Sequence, residues 1–137
     1  MTHNIRPYLT TDAPHLARID QLTSPNPMPA SQIAKMCSKQ HITAIICENT
    51  EGVIVGWCLY MKSHGVIDVL RFQRHPEFDS SEIYNQLARW VTGRVTPGFP
   101  RATISAVSHD VRVVLFQLGF HVDENESSVL VYGMGGA

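Results

Sequence analysis

An α+β (mixed α/β) domain built on a single sheet is what this sequence predicts, from three observations. Short β-rich runs crowd the middle of the chain, amphipathic helical stretches flank them, and Gly or Pro marks nearly every join. The expected element order is β-α-α-β-β-β-α-β-α-β-β. At 137 residues the chain can bury a genuine core without covalent staples, and no repeat or low-complexity linker divides it. Residues 1–137 are therefore expected to form one domain.

"NIRPYL" reads as a short strand, followed by "TTDAPHLARIDQL", in which Asp12 suits an N-cap and Pro14 the first turn. Leu16, Ile19 and Leu22 supply the apolar stripe of a first helix. After the Pro-rich "TSPNPMP", the stretch "ASQIAKMCSKQ" forms a shorter helix with Ile33, Met36 and Cys37 on one side. "ITAIICENTEGVIVGWCLYMK" holds two β-rich runs around a turn at Gly52, a hairpin. "GVIDVLRFQRH" is the next strand, stopped by Pro76. A helix over about 80–91 places Ile83, Leu87, Trp90 and Val91 on one face. "RATISAVS" is a strand and "HDVRVVLFQL" a helix with Val111, Val114, Leu115 and Leu118 inward, ended by Gly119. "FHVDE" and "SSVLVYGM" close the chain as a strand pair, and the tail "GMGGA" reads as a frayed end.

Composition narrows the function classes. The formal net charge is −1 and the basic residues are scattered, so neither nucleic acid nor an anionic membrane is an expected partner. The seven histidines sit singly, without the spacing a metal site favours, and no metal is expected. Three cysteines without a CxxC motif read as buried free thiols of a reducing compartment. With no signal-like N-terminus and no apolar run of membrane-spanning length, a cytoplasmic protein is expected. Trp57 and Trp90 read as core or interface residues.

The element order, with four local stretches, resembles the GCN5-related N-acetyltransferase (GNAT) superfamily. "IRPYLTTDAPHLARI" is similar to the family's opening strand and helix, and "GVIVGWCLY" to its third strand. "VLRFQRHPEF" resembles the fourth strand and the turn leaving it, and "FQLGF" the junction between the last helix and the following strand. The resemblance covers nearly the whole chain. It implies a central, mostly antiparallel twisted sheet of about seven strands flanked by about four helices. It also implies transfer of an acetyl group from acetyl-CoA, as cosubstrate, to an amine on a small molecule or peptide. Family members often dimerise through their C-terminal strands, so a homodimer is a further implication.

In the family, an Arg/Gln-x-x-Gly-x-Gly/Ala loop opens the helix after the fourth strand, and its backbone amides hold the CoA pyrophosphate. The matching positions here are Asp79, Ser80, Ser81, Glu82 and Tyr84, with Asp79 at the Arg/Gln position and Glu82 and Tyr84 at the two small-residue positions. Two carboxylates thus stand where a diphosphate would sit; like charges about 4 Å apart cost roughly 1 kcal/mol in water and about 4 at an effective dielectric near 20. Asp79-x-x-Glu82 instead predicts a capping box, with the protein's own carboxylates meeting the helix amides. The resemblance assigns the pantetheine arm to the backbone of Phe72, Gln73 and Arg74, with Arg71 and Arg74 placed to offset the acidic loop. The tyrosine that often protonates the departing thiolate in the family is Leu115 here. Candidate bases are Asp68 in "VIDVL" and His75 at the strand's end. Two functions follow: an N-acetyltransferase with an atypical pyrophosphate loop, or a catalytically inactive binding, regulatory or dimerisation module on the same frame.

Overall fold

The computed structural model describes residues 3–105 and 108–133; residues 134–137 of the tail lie outside them. One seven-stranded sheet forms the middle layer. Its strands are β1 (Asn4–Pro7), β2 (Ile42–Glu48), β3 (Ile54–Ser63), β4 (Val66–Arg74), β5 (Arg101–Ser105), β6 (His121–Val122) and β7 (Val129–Gly133). They are arranged β1-β2-β3-β4-β5-β7-β6. Neighbours are antiparallel except β4 and β5, which run parallel with α3 (Ser81–Thr92) as their crossover. Because β7 lies between β5 and β6, the two-residue β6 is the sheet edge at that end.

Alternation along the strands divides the core into two layers. Trp57 and Leu59 of β3, with Ala44 and Ile46 of β2, meet α1 (Ala13–Thr23) and α2 (Ala30–Cys37) through Leu16, Ile19 and Ile33. Cys58 and Tyr60 of β3, with Ile67 and Val69 of β4, meet α3 and α4 (His109–Gln117) through Ile83, Leu87, Val91, Val111 and Leu115. Full burial of side chains such as Ile83 and Leu87 contributes about 1.5–3 kcal/mol each. Gly56 lets α3 approach the sheet closely, since a Cβ there would stand 2.6 Å from Ile83 Cγ2. No helix among the described residues is long and apolar enough to cross a membrane.

The first helix departs from its expected stripe. Leu22 is 43% exposed, and the inward face is Ala13, Leu16, Ile19 and the carboxylate of Asp20. Position 20 follows Leu16 by one full turn, whereas position 22 has drifted around the helix toward solvent. Asp12 does precede α1, but its carboxylate makes no cap bond. It accepts a bidentate pair from the Arg6 guanidinium at 2.8 and 2.9 Å and the Leu9 N–H at 2.7 Å, pinning the start of α1 to β1. Burial pushes the Asp12 carboxyl up, but those hydrogen bonds outweigh it and hold the group below its ordinary value.

Two departures from regular pairing matter for function. Consecutive residues Leu59 and Tyr60 of β3 face Arg71 and Val69 of β4, so Leu70 is an extra residue, a bulge. The pairing of β4 with β5 covers Val66–Val69 against Arg101–Ile104 and stops at the same point. Beyond it, residues 70–74 of β4 continue along β3 without a β5 partner. The two parallel strands splay, and a cleft opens between them.

Candidate functional site

The cleft has a volume of about 500 Å³. Residues of β4 from Asp68 to Arg74 form its floor, Thr23, Ser24 and Pro25 one wall, and Ile104, Ser105, Ser108 and Val111 the other, with Tyr84 of α3 also in the lining. Phe72, Gln73 and Arg74, expected to offer backbone groups to a ligand, all line it on the stretch of β4 beyond its β5 pairing. A strand edge in that position presents N–H and C=O groups that an extended ligand can pair with.

Asp68 lies at the inner end of this floor, and Thr103 Oγ1 of β5 donates to its Oδ1 at 3.0 Å. His75 does not share the cleft. It follows the end of β4 and faces a separate cavity of about 630 Å³ with Asp12, His15 and Phe78. There its Nδ1 accepts the Glu77 N–H at 3.1 Å and its ring packs edge-on against Phe78. The two candidate bases are thus not brought together.

A polar cluster not expected from the sequence supports the cleft from beneath. Asp20 is fully buried, and Arg71 Nε and Gln73 Nε2 each donate to its Oδ1 at 2.8 Å, while the Met28 N–H donates to Oδ2 at 2.7 Å. Trp57 Nε1 donates to Gln73 Oε1 at 2.7 Å, and Arg71 Nη2 to the Asn26 carbonyl at 3.1 Å. One carboxylate thereby fixes α1, the loop after it and β4 beyond the bulge. Arg71 is therefore committed to Asp20, which corrects its expected role of offsetting the acidic loop. The signal in the sequence was Asp20 itself, a carboxylate one turn after Leu16 on an apolar face, a location that demands a partner.

The start of α3 also corrects an expectation. The spacing predicts Asp79 as cap and Glu82 reaching back to it. Instead Ser80 is the N-cap, its Oγ accepting the Glu82 N–H at 3.2 Å, and the Glu82 carboxylate accepts from Gln86 Nε2 at 3.1 Å. The chain enters the helix one residue later than the box requires, and the small hydroxyl reaches the second amide of the turn without Asp79. Asp79, Ser80, Ser81 and Glu82 are all exposed. Ser80→Ala is expected to cost about 1 kcal/mol in urea unfolding, against no more than about 0.5 for Asp79→Ala. The reverse order would restore Asp79 as the cap.

Tyr84 lines the cleft and packs on two side chains of β4. Its ring lies 5.6 Å from that of Phe72 at an interplanar angle of 17°, and the Arg74 guanidinium sits over it at 4.5 Å from the centroid. Burial raises the Tyr84 phenol above its ordinary pKa. Arg74 also approaches Asp110 of α4 at 4.0 Å. Leu115, at the position of the family tyrosine, is fully buried. Cys47 and Cys58 are buried and Cys37 half-buried; burial pushes Cys37 and Cys47 up to about 11 and about 12, so neither is a thiolate at neutral pH.

No protein-family model and no curated protein sequence matches the chain. Solved structures do. A GNAT superfamily phosphinothricin acetyltransferase from Sinorhizobium meliloti, solved with AcCoA, matches at a TM-score of 0.80 and 14% identity, over 98% of this chain and 90% of that one. The PaiA N-acetyltransferase of Thermoplasma acidophilum, in complex with coenzyme A, matches at 0.75 and 12%, over 98% and 100%. The IAA acetyltransferase from Bacillus cereus matches at 0.71 and 11%, over 97% and 100%. Identities this low carry the fold, and the chain has the GNAT fold.

Proposed function

We propose that this protein transfers an acetyl group from acetyl-CoA to an amine on a small molecule or peptide. The observation that carries the reading is the splay of β4 from β5, which leaves residues 70–74 unpaired with β5 along the floor of a 500 Å³ cleft. The bound acetyl-CoA or CoA of the structural neighbours supports the same assignment. Two parts of the donor fare differently. The pantetheine arm, with its amides in an extended chain, fits the β4 edge at Phe72, Gln73 and Arg74. The diphosphate meets an exposed helix start that carries Asp79 and Glu82 and is capped by Ser80.

The donor supplies an activated thioester carbonyl. The acceptor nitrogen attacks that carbon, the C–S bond breaks, and the nitrogen must give up a proton. Asp68 is suited to take it, directly or through water, being a cleft carboxylate with one oxygen fixed by Thr103. Leu115 has no proton to give the departing thiolate, which leaves solvent or a hydroxyl of the wall, Ser105 or Ser108, for that role. His75 faces the other cavity and has no part in this scheme.

A second reading, a non-catalytic module on the same frame, is favoured by one observation: the Tyr84 ring lines the cleft, packed on Phe72 and Arg74. Calorimetric titration with acetyl-CoA at moderate salt separates the two. Micromolar binding is expected for the enzyme, and Asp68→Asn then lowers turnover about 10²–10⁴-fold with binding retained. Absence of heat and of thermal stabilisation at millimolar acetyl-CoA would leave the module.

A further inference from the structure

We infer that donor recognition in this cleft ends at the pantetheine arm, so that the donor class is acyl-pantetheine thioesters in general and the nucleotide diphosphate of CoA adds no net affinity. The inference rests on the reading of the cleft as a thioester site and goes beyond it by removing the group that usually dominates such a ligand's charge.

The cations come first. Of the side chains lining the cleft, Arg71 and Arg74 are basic. Arg71 is held by the buried Asp20 carboxylate and the Asn26 carbonyl, pointing to the α1 side of the sheet. Arg74 lies flat on the Tyr84 ring and reaches toward Asp110. Arg71 thus presents no free fork to a diphosphate, and Arg74, laid against Tyr84 with Asp110 at 4.0 Å, is the one cleft cation set against the carboxylates around it.

Both helix starts at the cleft are guarded by carboxylates as well. α3 has Asp79 just before it and Glu82 in its first turn, and its Glu82 amide is already taken by Ser80 Oγ. α4 has Asp110 in its first turn. The positive ends of two helix dipoles are thus met by the protein's own negative charge before any ligand arrives. Tyr84, in the first turn and a half of α3, puts an aromatic ring stacked on Phe72 into the cleft lining, where a diphosphate site would need close approach of the backbone.

Apart from Asp68 and Arg74, what stays available is neutral: the β4 edge that β5 leaves unpaired, the Phe72 ring, and the hydroxyls of Ser24, Ser105 and Ser108. Those suit the amides and gem-dimethyl alcohol of pantetheine and make no demand for phosphate. Selection against the diphosphate then comes from repulsion, a form of specificity built by an opposing charge.

The test is parallel titration of the intact protein with acetyl-CoA and with S-acetylpantetheine. The expected result is dissociation constants within about tenfold of each other. Acetyl-CoA binding should also hold or tighten as salt rises from about 50 to 500 mM, because screening weakens a repulsion. A preference for acetyl-CoA beyond tenfold, or weakening of its binding by salt, overturns the inference and leaves the acetyl-transfer reading standing. Binding of neither thioester overturns both.

Discussion

Replacing Asp20 with alanine is expected to lower unfolding free energy by about 3 kcal/mol or more and to abolish ligand binding in the cleft. The size follows from what the carboxylate does. It is fully buried and accepts three hydrogen bonds, from Arg71, Gln73 and the Met28 amide. Alanine leaves the buried Met28 N–H without an acceptor, costing about 1–3 kcal/mol, and removes the acceptor of the half-buried Gln73 amide as well. Arg71 is 23% exposed and can turn partly to water, so its loss is the smaller part. Binding suffers because the loop carrying Ser24 and Pro25 and the bulged half of β4 lose their common anchor. Asp20→Asn keeps the shape and one acceptor oxygen and should fall between wild type and alanine. Urea unfolding of the three proteins measures this; an alanine variant within about 1 kcal/mol of wild type would mean the cluster holds nothing together.

The second large effect is expected at Gly56. A Cβ there would lie 2.6 Å from Ile83 Cγ2 and 2.9 Å from the Gln73 carbonyl oxygen. The isoleucine methyl can shift, but the carbonyl belongs to the β4 backbone paired with β3, so α3 or the strand must move. Overpacking of this kind costs about 1–3 kcal/mol for Gly56→Ala, with a larger loss for valine. Gly98→Ala is the control, since its nearest contact would be Thr96 Oγ1 at 3.9 Å, and it should stay within about 0.5 kcal/mol. Equal melting temperatures for the two alanine variants would refute the close approach of α3. A selective fall for Gly56→Ala, accompanied by weaker thioester binding, ties the helix position to the cleft, because Tyr84 of the same helix lines it.

Much of the frame was legible in the residues. The two β-rich runs "ITAIICE" and "IVGWCLYMKS" announce the hairpin, and Gly52 takes the positive φ its turn requires. Gly119 ends α4 in the same way, with φ +104. The spacing of Ile83, Leu87 and Val91 marks the buried face of α3. These features are local, fixed by side-chain period and backbone preference within a few residues. The cap of α3 shows the limit of such reasoning: Asp79 and Ser80 are both good caps, and only the direction in which the chain leaves β4 selected the serine.

The sequence by itself determined the element order and the apolar faces of the helices, because each rests on neighbours in the chain. The tertiary structure alone decided the site. Asp20 meets Arg71 and Gln73 across more than fifty residues. The bulge at Leu70 and the end of β4–β5 pairing at Val69 arise from how three strands fit together. Asp68 lines the cleft and His75 a separate cavity, although the bulge between them returns both to the α1 side of β4. A one-residue shift in a strand reverses every side chain after it, and no local pattern records that shift until the partner strand is present.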